Sequence, residues 1–433
     1  MGIENLNKFL KVNAPNCQTT LALSRFRGTR VAIDANNLLC SKMYTANKGT
    51  CDLQQLKIDP FASIDRSEAD KEWYRQLLYT VLTYTSYGIT PIFVFDGKHL
   101  PAKAKTQNKR KQDRKENQRR AEELAQTIAK KSLLERTDEE IEKLGNAKSS
   151  SAVFITSEQM CTFKSILNMV GVPVITAKGD GEDLCVALAH AGKVSAVVSK
   201  DTDCFVLGCP ITISGISKGS RSPNQTVDVT IYSKILEGLN IDRSTFIDLC
   251  ILGKCDYNNG VPKIMLPTAF KLFKDHGCIE NIMKYESYKY DFYGEDGMNV
   301  NLDFCRNTIF CIKSVEDCLD ESHEGKLPNL DISKFALSHP QTRNYLRSLN
   351  IEDFMVRLTA SYDNIKSCGD YGAEYVLGAG RLVPNNQHQL HYDVFILPDK
   401  QEKRETLELR DTDSITSGIE TVNIVSDLVV RFD

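Results

Sequence analysis

No stretch of this 433-residue chain is long and apolar enough to span a bilayer, and no two of its 14 cysteines stand in a Cys-x-x-Cys spacing. The first absence excludes a transmembrane helix. The second removes the usual zinc and redox spacings. The amino end lacks a basic stretch followed by an apolar run, so a secretory signal is not expected. Leu6 stands where a myristoylation signal carries serine or threonine. Internal repeats and low-complexity segments are also missing. The expectation is an intracellular, reducing compartment with free thiols, several of them in hydrophobic contexts: Cys185, Cys204, Cys209 and Cys250. No sign of charge dominates, since the net charge is -3 and the pI about 6.2. That balance leaves nucleic-acid chemistry open, because a carboxylate site and a basic grip for phosphate cancel in the sum.

What is present is a sheet pattern. Arg30–Asp34 and Pro91–Asp96 read as buried strands, each ending in a carboxylate. Between them Glu72–Tyr87 carries apolar residues at helical spacing, which predicts strand, helix and parallel strand. The polar stretch Asn47–Arg66 is expected to be a loop. From Lys98 to Arg120, ten of 23 residues are Lys or Arg against two acids, Asp113 and Glu116. The continuation to Lys148 has no proline, and no glycine before Gly145, so it is expected to be helical. Helix is expected again at Gln159–Val170 and Glu182–His190, and strand at Val172–Thr176 and Val194–Ser199. Tyr232–Phe273 reads as helical around the polar turn Asp256–Gly260. Beyond about residue 280 only scattered apolar positions (Phe335, Tyr345, Phe354, Leu358) suggest helices. The tail offers β-like pieces at Asp393–Leu397 and Thr421–Val430.

Seven acids stand out: Asp34, Asp96, Asp180, Glu182, Asp201, Asp203 and Asp256. Most follow strand-like segments, where ligands gather at the carboxyl edge of open α/β sheets. Each alone reads more simply as a turn or cap residue, and Asp180 in particular as the cap of the following helix. Together they would repel unless cations compensate. Oxygen ligands suit Mg²⁺ or Mn²⁺. Two such ions, about 4 Å apart, would serve phosphodiester hydrolysis. By themselves these residues leave nuclease, phosphatase and kinase-like phosphoryl transfer open.

The chain resembles the flap endonuclease family of structure-specific 5′ nucleases, with its 5′ exonucleases, repair endonucleases and junction resolvases. The likeness rests on Met1-Gly2-Ile3, Val31-Ala32-Ile33-Asp34-Ala35, Val94-Phe95-Asp96-Gly97-Lys98, Gly171-Val172-Pro173, Asp180 with Glu182, Ser199-Lys200-Asp201-Thr202-Asp203, and Leu249 to Leu252 with Asp256-Tyr257. It covers roughly residues 1–275. The size and tail also resemble flap-endonuclease-like proteins of large cytoplasmic DNA viruses. The family likeness implies an α/β fold with a PIN-like, mostly parallel sheet covered by helices, a basic helical arch, and a mostly helical C-terminal DNA-binding region. It implies a nuclease core over 1–97 and 149–231, the arch over 98–148 and a divergent helix-hairpin-helix-like region over 232–285. A mainly helical extension over 286–391 and a β-containing tail over 392–433 complete the division.

The same likeness makes the seven acids the site for two Mg²⁺ or Mn²⁺ ions, with Lys103 and Arg110 as a catalytic basic pair on the scissile phosphate. Lys98, Lys105, Lys109, Lys111, Arg114 and Lys115 would steer single-stranded DNA. Gly2 would let the amino terminus approach the bent DNA backbone. The implied partner is DNA with a 5′ flap, nick, gap, free 5′ end or junction, with replication or recombination proteins possible besides. A membrane is not implied, and no sliding-clamp motif is evident. A nuclear location is implied, or a cytoplasmic viral replication site if the viral likeness holds.

Several positions depart from the family pattern. Asp180 replaces a frequent Glu. Gly253-Lys254 replaces Leu-Gly before Asp256. Lys263 and Met265 stand where paired glycines fall, which puts a potassium-like monovalent cation site in doubt. Cys40 occupies the place of a base-stacking aromatic, for which Tyr44 or another side chain would substitute. A four-way-junction resolvase and a noncatalytic DNA-binding replication scaffold are the competing readings.

Overall fold

The computed structural model describes residues 2–98, 104–216, 225–294, 299–333, 340–349, 352–367, 393–395 and 429–431. Its center is a seven-stranded sheet in the order β1-β7-β6-β5-β2-β3-β4. The strands are β1 (Gln18–Ala22), β2 (Arg30–Asp34), β3 (Thr90–Phe95), β4 (Val174–Thr176), β5 (Ala196–Val198), β6 (Ile211–Ile216) and β7 (Thr226–Ile231). Strands β2 to β6 run parallel, while β7 and β1 continue the sheet antiparallel. Val31, Ala32, Ile33 and all of β3 are buried, as a sheet covered on both faces requires. The sequence pattern did not signal β1, β6 and β7. Their exposed and buried positions are mixed, and Ile213/Gly215 carries a register shift.

The first helices are α1 (Leu6–Asn13), α2 (Ala35–Gly49), α3 (Leu53–Ile58) and α4 (Arg66–Ser86). The expected loop at 47–66 is therefore corrected: it holds the end of α2 and all of α3. Asp52 nucleates α3 by accepting from the Gln54 and Gln55 amides at 2.9 and 3.0 Å. Six residues are too few to show a helical period. Helix α4 starts six residues before Glu72 because Asp65 caps it. Trp73 on α4 is fully buried and donates from its indole N–H to the Leu39 carbonyl at 3.0 Å, which locks α4 on α2.

The arch consists of α5 (Ala104–Ala129) and α6 (Asp138–Ser151). A small separate core of Leu56, Ala125, Ile128, Ile141 and Leu144 joins α3, α5 and α6. Polar ties reinforce it. Arg136 donates to the Lys57 and Ile58 carbonyls at 2.6 and 2.9 Å, and Lys148 donates to the Ala62 carbonyl at 2.7 Å. The segment read as a loop is thus a strut for the arch. Leu144→Ala should destabilise this unit by about 2–5 kcal/mol. Hydrogen exchange is expected to speed up in α5 and α6 and remain unchanged in β2 and β3.

Next come α7 (Ser157–Met169), α8 (Gly181–His190), α9 (Asp203–Val206), α10 (Tyr232–Leu239) and α11 (Arg243–Leu252). They are followed by α12 (Leu266–His276), α13 (Ile279–Tyr285) and the short α14 (Leu302–Phe304) and α15 (Val315–Cys318). Helices α16 (Pro340–Ser348) and α17 (Glu352–Ser367) return to the core. Phe354, Leu358 and Tyr362 are buried there, and the Tyr362 hydroxyl donates to the Val170 carbonyl at 2.6 Å. Two tail strands, β8 (Asp393–Phe395) and β9 (Val429–Arg431), pair antiparallel. Phe335 and the remainder of the two expected tail strands lie outside the described residues. Among the described residues, no helix is long and apolar enough to cross a membrane.

Candidate active site

Four adjacent parallel strands, β5, β2, β3 and β4, deliver carboxylates to one edge of the sheet. Asp34 is the last residue of β2 and Asp96 follows β3. Asp201 and Asp203 lie just past β5, and Asp180 and Glu182 lie at the start of α8 after β4. The parallel register sets Asp34 opposite Val94, two residues before Asp96. Sheet topology therefore converts distant sequence positions into neighbors.

Each carboxylate has an ordered surrounding. Asp34 is 2 % exposed, caps α2 by accepting from the Asn37 amide at 3.2 Å, and accepts the Ser199 hydroxyl at 2.8 Å. Ser199 Oγ also accepts the Asp201 amide at 3.0 Å, which joins the β2 and β5 ends. Asp96 accepts the Gly181 amide at 2.8 Å and the Asn36 side-chain amide. Asp201 Oδ1 accepts the Asp203 amide at 3.2 Å. Asp180 occupies the N-cap position of α8 but makes no capping bond there, and it accepts the Tyr257 hydroxyl at 3.2 Å. This differs from the cap reading: the Asp180 carboxylate bonds the Tyr257 hydroxyl, and the first amide of α8, Gly181, goes to Asp96. Glu182 is half-buried in the first turn of α8. Asp256 is half-buried in the turn after α11, beside buried Tyr257.

Burial, together with the Asp96 and Asp201 charges, pushes the Asp34 carboxyl up to about 7, against the pull of Ser199 and Asn37. A crowd of hard oxygen donors that holds a proton to that pH suits a divalent cation. Among the described residues, no three His, Cys, Asp or Glu side chains already stand in a ligating arrangement. The carboxylates are instead turned to the protein donors just named. In the metal-free protein, the stability contributed by protonated Asp34 is fully present below its unfolded pKa of about 3.9. It is lost as pH rises through about 7. The gain in Tm produced by Mg²⁺ should therefore grow between pH 5.5 and 7.5, and Asp34→Asn should flatten that growth.

Gly2 has a closer role than an approach to DNA alone. Its φ is +78°, and an added Cβ would lie 2.3 Å from Asp201 Oδ1, 2.7 Å from Thr202 Oγ1 and 2.8 Å from Asp203 Oδ1. The Ile3 amide donates to Thr202 Oγ1 at 2.8 Å and fixes the segment there. The amino terminus is thus packed onto the carboxylate loop.

Lys103 lies outside the described residues. Arg110 sits in α5, and Lys105 belongs to the same helix. Lys109, Lys111 and Lys115 are exposed, whereas the Arg114 guanidinium lies 4.9 Å over the Phe154 ring. Lys98 is exposed where the chain leaves β3. Cys40 and Tyr44 are exposed one turn apart on α2, which puts Tyr44 on the face that Cys40 leaves without an aromatic. Lys254 extends toward the amino-terminal segment, with Nζ 3.5 Å from Glu4. Lys254 and Lys263 both adopt left-handed backbone, with φ of 79° and 68°. The loop thus keeps, without glycine, a conformation that glycine favors.

Sequence reasoning missed Asn36, Ser199 and the Lys313–Asp183 ion pair, which measures 2.5 Å. Ser199 and Asn36 adjoin motif residues and offered a signal by their hydrogen-bonding capacity. Lys313 is 130 residues from Asp183 and offered none.

A parallel sheet whose carboxyl edge collects oxygen donors suits the class of metal-dependent phosphoryl-transfer enzymes, which includes the nucleases. The XPG N-terminal domain model matches residues 1–117, and the XPG I-region model matches residues 171–256. Flap endonuclease 1 of Meyerozyma guilliermondii is 32% identical over 285 residues, covering 66% of this chain and 70% of that protein. Flap endonuclease 1 of Uncinocarpus reesii is 32% identical over 289 residues, covering 66% of each chain. The chain thus spans about two thirds of the length of these relatives. The catalytic core of Rad2 in complex with DNA substrate has a similar fold, with TM-score 0.54 and 16% identity over 82% of this chain and 100% of that one. Flap endonuclease-1 from Methanococcus jannaschii gives 0.50 and 20% over 81% and 96%. The chain belongs to the flap endonuclease family. It is a divalent-metal-dependent, structure-specific nuclease that acts on DNA.

Proposed function

We propose that this protein cuts DNA near a 5′ end, at flaps, nicks, gaps or junctions, with 5′ exonuclease or flap-cleaving activity. The observation that supports the reading most directly is the convergence of carboxylates from four neighboring strand ends beside a basic helical arch. Asp34, Asp96, Asp180, Glu182, Asp201, Asp203 and Asp256 would hold two Mg²⁺ or Mn²⁺ ions. When bound, such cations supply Lewis-acid polarisation of the scissile phosphate and make water a competent nucleophile at neutral pH. Ser199, Asn36 and the Gly181 amide hold the carboxylates in the metal-free protein, and the side chains would turn from these donors to ligate the cations. Lys103 and Arg110, from the base of the arch, would draw in the phosphate and offset its charge. The exposed Lys109, Lys111 and Lys115 would guide the single strand. We divide the chain into a nuclease core (1–97 and 149–231), a basic helical arch (98–148), a divergent helix-hairpin-helix-like region (232–285), a mainly helical extension (286–391) and a β-containing tail (392–433). We place its action in the nucleus, or at a cytoplasmic viral replication site if the viral likeness holds.

Labelled flap, nicked, gapped and four-way DNA in Mg²⁺ tests the proposal. Products with a 5′ phosphate and a 3′ hydroxyl, cut near the 5′ strand, are expected. Intact substrates in every arm would sink it.

Lys263 is exposed on the loop before α12, and we read it as a contact to duplex phosphate. Lys263→Gly relieves left-handed strain, so stability should hold or rise by up to about 1 kcal/mol. Duplex binding should weaken, and the slope of log affinity against log salt should fall by about 1.

A further inference from the structure

We infer that Tyr257 is a positioning residue for Asp180, and that it sets how tightly the site takes a divalent cation. The inference rests on the cation-binding role proposed above for Asp180. Asp180 stands at the N-cap of α8, where an aspartate ordinarily accepts from the helix amides. It makes no such bond, and the Gly181 amide that opens the helix is taken by Asp96 Oδ1 at 2.8 Å. Its Oδ2 instead accepts the phenolic hydroxyl of Tyr257 at 3.2 Å. The carboxylate is therefore oriented from outside its own helix, by a residue 77 positions away.

The donor is rigidly placed. Tyr257 is 7% exposed and packs edge-on against Phe310, which is itself 1% exposed, with centroids 5.9 Å apart and planes at 88°. Backbone on either side restrains it further, since Asp256 precedes it in the turn and the Asn258 side chain donates to the Ile251 carbonyl at 2.9 Å. A neutral phenol can donate to a carboxylate without bringing a competing charge, as a lysine would. A positive group beside α8 is already engaged: Lys313 is bound to Asp183 at 2.5 Å, one residue past Glu182. That ion pair neutralises the acid on α8 that the cation site does not require.

Between these groups lies a cavity of about 10 Å³, lined by Asp180, Glu182, Asp183, Asp203, Tyr257 and Phe310, among others. It has room for roughly one water. Tyr257 closes one side of it, so the hydroxyl fixes both the direction of Asp180 and the volume behind it. Outer hydrogen bonds of this type govern ligand orientation, and their loss weakens metal binding by about 10–100-fold.

The test is a Mn²⁺ titration of the full chain, with free ion counted by its paramagnetic resonance signal, for wild type, Tyr257→Phe and Phe310→Leu. Tyr257→Phe should raise the Mn²⁺ dissociation constant by about 10–100-fold, with Tm in EDTA near that of wild type. Phe310→Leu should shift it in the same direction by less. Adding Asp180→Glu to Tyr257→Phe should recover part of the affinity, because the longer side chain depends less on the phenol for its reach. Wild-type affinity in Tyr257→Phe would overturn the inference while leaving the nuclease reading intact. If Tyr257→Phe does not fold, Phe310→Leu decides, with unchanged Mn²⁺ affinity again overturning the inference. A wild-type protein that neither binds Mn²⁺ nor cuts DNA would overturn both.

Discussion

Asp201→Ala is expected to lower the rate of flap cleavage by on the order of 10³-fold, the scale seen when one preorganised electrostatic group is removed from a reacting center. DNA binding in EDTA should remain within about twofold, since the contacts to the duplex and the single strand come from other elements. Asp201 is 7% exposed and accepts the Asp203 amide. Its truncation removes a charge from the crowd that raises the Asp34 carboxyl, so that carboxyl should titrate at lower pH in the variant. Matched single-turnover cleavage and binding measurements check the result. Cleavage equal to wild type would show that Asp201 does not serve the reaction.

Gly2→Ala is the second large effect, and it comes from a methyl group. The added carbon would lie 2.3 Å from a carboxylate oxygen of Asp201 and within 3 Å of Thr202 and Asp203. Backbone at φ +78° adds strain for any side chain. Either the amino terminus leaves the loop or the loop moves. Displacement of reacting groups by about 1 Å costs about 10²-fold in rate. We expect a loss of that order in cleavage, with the Tm changed by only a few degrees, because the core strands are untouched. Deleting residues 2 and 3 should reproduce the loss, whereas unaltered single-turnover rates in both variants would refute the argument.

The parts legible in the sequence were those with strong local signatures. Apolar runs that end in Asp34 and Asp96 announced β2 and β3, and the basic stretch after Lys98 announced a long helix. Strands β1, β6 and β7 escaped because none of them carries a continuous apolar run. Helix α3 escaped because its stability derives from Asp52 and from packing against the arch, neither of which shows as a period. The acids were identifiable as a set, but their partners were not. Tyr257 was visible only as the residue after Asp256, while its bond to Asp180 is a product of tertiary folding. Lys313 and Asp183 had no sequence signal at all. The left-handed backbone at Lys254 and Lys263 ran against expectation, since the missing glycines suggested a changed loop.

The strut made by α3 has a thermodynamic consequence for substrate capture. Leu56, Ala125, Ile128, Ile141 and Leu144 are already buried together before any DNA is present. Segments that fold upon binding bury new apolar surface and forfeit about 2–5 kcal/mol to ordering, with a large negative heat-capacity change. The carboxyl-terminal half of the arch has no such transition left to make. Calorimetry of single-strand binding should accordingly show a small heat-capacity change and a strong salt dependence, the signature of an electrostatic guide with fixed walls.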